Sequence, residues 1–190
     1  MTQKKFNPRT ILLVGFMIAV AALRMVLNPK WGFTFLSDFT PVGAMALFGG
    51  AYFSSKKAFL FPLLTLWLSD VFLGRFVFGH EWHLLYHGFY WVYGAFALMV
   101  VTGKFVMKNI SITNGLVAAL VVTLIHWIVT DTGVWLASAR YPATLAGFWE
   151  CLAAAIPFEG NFLSGTLLYG VVMFGSFEWM RSKYSSLSIA

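Results

Sequence analysis

His80, His83 and His87 stand three and four residues apart within the stretch Arg75–His87, with Glu81 between the first two. If the stretch is helical, that spacing puts three imidazoles on one side. Imidazoles beside a carboxylate can ligate a transition metal or the metal of a tetrapyrrole. They serve equally as hydrogen-bonding groups at lipid headgroups, or as contacts to a bound solute. Asp70, Arg75, His126, Asp131, Arg140, Glu150 and Asn161 are polar residues in or beside long apolar runs. Such groups are costly in a bilayer and face a bundle interior or a wet cavity. Asp70 and Asp131 could form a proton-carrying carboxylate pair; alternatively each caps a helix end or pairs with Arg75 or Arg140, and the ion-pair reading is favoured. These residues are the expected substrate-binding set, with no catalytic group and no dedicated metal.

The residues that must position them are mostly apolar. Hydrophobic residues make up 59% of the chain and charged residues 11%, and the mean hydropathy is +0.78. A soluble domain carries roughly a quarter charged residues, so an all-α integral membrane protein is expected, a single domain over residues 1–190. The net charge of +6 does not mark a nucleic-acid binder, because the basic residues fall between apolar runs rather than in a patch. The lone Cys151 excludes an intramolecular disulfide. Beside Glu150 it is a conceivable thiol site, though a lone cysteine is more often a small buried apolar residue.

The apolar runs predict six transmembrane helices: Thr10–Leu27, Pro41–Phe53, Ala58–Gly74, Phe89–Met107, Asn114–Ala137 and Asn161–Trp179. The first resembles a signal peptide at its start, but its apolar run is long enough to be retained as a span. The second is narrow with Gly and Ala and belongs at the centre of the bundle. Between the fifth and sixth, Thr144–Phe158 is short and interrupted by Gly147 and Pro157, which suits an interfacial or re-entrant helix. Nine basic residues then fall on one side and three on the other. The positive-inside rule makes both termini cytoplasmic and the location the inner membrane. The polar residues gather toward the opposite, outer face, where aromatic walls with a few placed polar groups describe a small-molecule pocket.

The chain carries no Walker loop, no Rossmann glycine pattern and no HExxH motif. It is expected not to be an enzyme, and uphill transport would draw on an ion gradient or a partner. Gly15 and Ala19 form a small-xxx-small pair on the first helix. The pair suits close packing of a neighbour from the same chain, the favoured reading, or docking of a separate membrane subunit.

The Asp38–Phe53 block (DFTPVGAMALFGGAYF), the size and the cytoplasmic termini resemble the substrate-binding S components of energy-coupling factor (ECF) vitamin transporters. That block, with Ser69-Asp70, Tyr141-Pro142-Ala143-Thr144 and Ala155-Ile156-Pro157-Phe158, more closely resembles an uncharacterised family of small bacterial membrane proteins related to S components. The resemblance implies a six-helix S-component fold, an outer pocket capped by loops, and a membrane coupling subunit with ATPases as partner at the Gly15/Ala19 surface, where S components usually carry an alanine pair. Some solitary S components handle cobalamin with an outer-loop cysteine; none stands here, and His80 is the residue that could face a cobalt. Three readings follow. One is a substrate-binding subunit or solitary transporter for a vitamin-like molecule, without resident cofactor. The second is a haem- or metal-binding protein using His80, His83 and His87. The third is a non-catalytic assembly protein.

Overall fold

The computed structural model describes residues 8–26, 38–53, 56–79, 81–82, 84–184 and 187. Lys4, Lys5, the Asn28–Ser37 connection, His80 and His83 lie outside them. Among the described residues the chain is all-α, with six helices and no strand. These are α1 (Pro8–Val26), α2 (Val42–Tyr52), α3 (Lys57–Phe72), α4 (Phe89–Val106), α5 (Ile112–Ala137) and α6 (Leu145–Lys183). Four are long and apolar enough to cross a membrane: α3 with its extension to Val77, α4, α5 and α6. The expected second span is shorter. At 11 residues α2 is about 16 Å long, against a hydrocarbon core of about 30 Å.

Its composition explains where α2 sits. Every residue from Pro41 to Gly50 is buried, and α3, α4 and α6 pack around it. A side chain on Gly50 would strike the Val100 carbonyl of α4, and one on Gly103 would stand 2.5 Å from the Leu47 carbonyl. The two backbones touch because neither carries a Cβ. Lipid tails are as apolar as leucine, so close packing rather than water exclusion holds such a bundle. Phe48 of α2 meets Phe16, Tyr52, Phe174 and Phe177 edge-on or tilted, at centroid distances of 4.7–6.0 Å.

α6 departs from expectation. Thr144 caps it, accepting from the Gly147 amide at 3.2 Å, and the helix runs 39 residues without a break. The interfacial segment and the last span are therefore one element. Pro157 removes one backbone donor, but α5 holds the helix on both sides of it. The Trp127 indole donates to the Leu152 carbonyl at 3.0 Å, and His126 grips Glu159.

The histidine stretch also differs. After Leu73–Val77, a π-helical turn, the described residues from Phe78 to Gly88 form no helix. Gly79 (φ 71°) and Gly88 (φ 82°) take left-handed conformations at its two ends, where glycine is favoured. The Trp67 indole donates to the Leu84 carbonyl at 2.8 Å and ties the loop down. His80 and His83 lie outside the described residues, and the described residues beside them, His87 included, are not helical. On α1, Leu13 and Met17 are buried, whereas Gly15 and Ala19 are exposed and nothing lies within 4 Å of a Cβ built on Gly15. Among the described residues, nothing packs beside Gly15.

Candidate functional site

The polar residues converge on the α5–α6 seam. His126 Nδ1 lies 2.7 Å from Glu159 Oε1, with side chains 19% and 8% exposed. The imidazole stacks on Phe162, one turn further along α6, with ring centroids 4.1 Å apart and planes at 12°. Phe162 is fully buried, so the ring cannot swing away from the carboxylate without displacing the core. On the next turn of α5, Asp131 lies within electrostatic range of Glu159, His126 and Asp38. Its carbonyl receives the Cys151 thiol at 3.7 Å, and the Thr130 hydroxyl donates back to the His126 carbonyl at 2.6 Å.

Among the described residues, three buried polar atoms here have no hydrogen-bond partner: Glu159 Oε2, Thr40 Oγ1 and Thr166 Oγ1. Such atoms are rare because each forfeits its solvation without recompense. Thr166 abuts Gly43 in the first turn of α2, and a Cβ on Gly43 would also stand 3.0 Å from Phe162. α2 begins there at Pro41, which supplies no side-chain cap. Asp38, at φ 63°, leads into it. The start of a short buried helix, a carboxylate–imidazole pair and two hydroxyls thus occupy neighbouring turns.

Of the expected site residues, the structure brings His126 and Asp131 together. Asp70 lies on the α3–α4 seam, where its carboxylate accepts from the Tyr93 hydroxyl at 3.0 Å. The Arg75 guanidinium stands 5.9 Å over Trp82, and that of Arg140 5.7 Å over Tyr141. Among the described residues, ion pairs join His126 to Glu159 and Arg181 to Glu178. His87 and Glu150 are exposed, and Asn161 is half-buried away from the Glu159 face. No group of three His, Cys, Asp or Glu residues is set to hold a metal among the described residues. Glu159, Thr40 and Thr166 were absent from the expected set. The signal for Glu159 and Thr166 is the run Leu152, Ala155, Glu159, Phe162, Thr166, whose helical spacing continues straight through Pro157.

A groove of about 550 Å³ opens lower on the same seam, lined by Leu116, Ala119, Thr166, Gly170, Phe174 and Glu178 among others. It lies toward the end carrying Lys104, Lys108, Arg181 and Lys183, opposite to the end where a pocket was expected. Thr166 belongs to both the groove and the polar centre, with Phe162 above it.

No curated protein and no solved structure matches this chain. Residues 4–187 match the family described as Family of unknown function (DUF6580), and the chain belongs to that family.

Proposed function

We propose that the protein is the solute-capturing membrane subunit, or solitary carrier, of an uptake system for a vitamin-like small molecule, and that it performs no chemistry of its own. The observation that carries this reading is the His126–Glu159 pair, whose buried carboxylate has one oxygen without a partner among the described residues. Ionisable groups inside apolar helices are retained at a cost and mark solute or ion pathways. His126 and Asp131 are only partly buried, which gives a solute a rim to engage. On this reading the loop charges place both termini in the cytoplasm and the chain in the inner membrane, arranged as in the S components. The exposed Gly15 and Ala19 of α1 support docking of a separate coupling subunit there.

Native mass spectrometry on protein gently purified from its own host tests the reading. A small organic molecule is expected to co-purify, and Glu159→Ala is expected to lose it. Protein that is empty, and that binds nothing saturably from a panel of vitamins, would rule out solute capture.

A further inference from the structure

The α5–α6 seam is bridged in one half and parted in the other. Trp127–Leu152 and His126–Glu159 bridge it, whereas the groove of about 550 Å³ occupies the half that runs to the start of α5 and the end of α6. Gly115, Gly170 and Gly175 line it, and nothing lies within 4 Å of a Cβ built on any of them. Apart from Ser111, Thr166 and Glu178 the lining is apolar. Ser111 caps α5 through the Asn114 amide, and the Thr166 hydroxyl stands against Gly43 of α2. Glu178 Oε1 accepts from the Tyr52 hydroxyl at 2.5 Å and from the Arg181 guanidinium at 3.0 Å. The groove has the size of a small-molecule site, about 300–1,000 Å³, but not the converging polar groups that orient a polar solute.

The rim shows what can enter. Ile112 and Leu116 of α5 and Val171 of α6 are 85%, 50% and 73% exposed. Both helices are long and apolar enough to cross a membrane, so the opening faces hydrocarbon. At the basic end, Met107 and Ile110 of the lining flank Lys108 in the chain. Lys104 and Lys108 are exposed, and among the described residues neither makes an ion pair. Lipid tails are as apolar as leucine, so an acyl chain gains only packing here and selection falls to the head group. Basic pockets between transmembrane helices hold acidic head groups.

We propose that this groove binds one anionic phospholipid, with an acyl chain between α5 and α6 along Gly115 and Gly170 and the phosphate held by Lys104 and Lys108. The tail reaches Thr166, one turn from Phe162 of the polar centre. The lipid site is separate from the His126–Glu159 pair and does not rest on the carrier reading.

Native mass spectrometry of protein delipidated in mild detergent, then titrated with phosphatidylglycerol or phosphatidylcholine, tests the site. One phosphatidylglycerol is expected to bind saturably, and phosphatidylcholine far more weakly. A lysine beside an anionic head group is worth about fivefold in affinity, so Lys104→Gln/Lys108→Gln is expected to weaken phosphatidylglycerol binding by about thirtyfold. Both side chains are exposed, so this variant keeps the fold. Gly170→Leu fills the trough and is expected to lose tight binding. Equal affinity for the two lipids, or binding unchanged in the lysine variant, would overturn the proposal. Unchanged binding in Gly170→Leu would place the lipid elsewhere, and a protein dimer that excludes lipid would mean that a second copy covers the groove. Glu159→Ala is expected to keep the phospholipid, which separates this site from solute capture at the polar centre.

Discussion

His126 and Glu159, 33 residues apart in sequence, join α5 to α6 through one 2.7 Å contact on the far side of Pro157 from the Trp127–Leu152 bond. Removing one partner of a buried pair leaves the other uncompensated, at about 3 kcal/mol. His126→Leu is therefore expected to lower stability by about that amount, and the double variant His126→Leu/Glu159→Leu to recover much of it. Unfolding in mild detergent measures both. Additive losses in the double variant would show that the two side chains are not coupled.

Glycines separate the packed core from the open groove. Gly50→Ala places a methyl against the Val100 carbonyl, which is backbone and cannot rotate away. A loss of about 1–3 kcal/mol is expected. Gly170 lines the groove and has open space beside it, so Gly170→Leu should leave the melting temperature near that of the wild type. Equal damage from the two substitutions would contradict this packing.

Cys151 is 2% exposed and its thiol is bonded to the Asp131 carbonyl. Structural cysteines of this kind are inert. Maleimide is expected to label denatured protein fully and folded protein slowly. Rapid labelling of folded protein would mean that the seam opens readily.

Pro157 interrupts the hydrogen bonding of a continuous α6. Pro157→Ala restores a donor and is expected to stabilise the protein, by up to about 3 kcal/mol. If residues 144–158 were instead a separate segment, as their interruptions suggest, the substitution would have little effect on thermal stability.

The helices themselves are largely legible in the sequence, because long apolar runs between charged residues leave little choice. The expected Phe89–Met107 differs from α4 by one residue and the expected Asn114–Ala137 from α5 by two. The central place of α2 follows from its small residues. Two features were illegible for different reasons. Pro157 is a strong local breaker, and it is overridden only by contacts from α5 that lie more than twenty residues away in sequence. Glu159 and Asn161 both stand among the polar residues at the expected start of the last helix, and the continuous helix turns Glu159 toward His126. The His87 stretch has helical spacing, but its described residues form no helix and it lies between two glycines in left-handed conformations.

At 39 residues, α6 is about 58 Å long, nearly twice the hydrocarbon thickness of about 30 Å. Tilting a helix by the usual limit of about 40° absorbs only part of that excess. Trp179, with Lys183 4.2 Å over its ring, anchors one end at a headgroup layer. The surplus turns, with the exposed Trp149 and Glu150, must then emerge at the other end or thicken the lipid around them. A helix of that length carries its first turns past the hydrocarbon as a rigid continuation of the span.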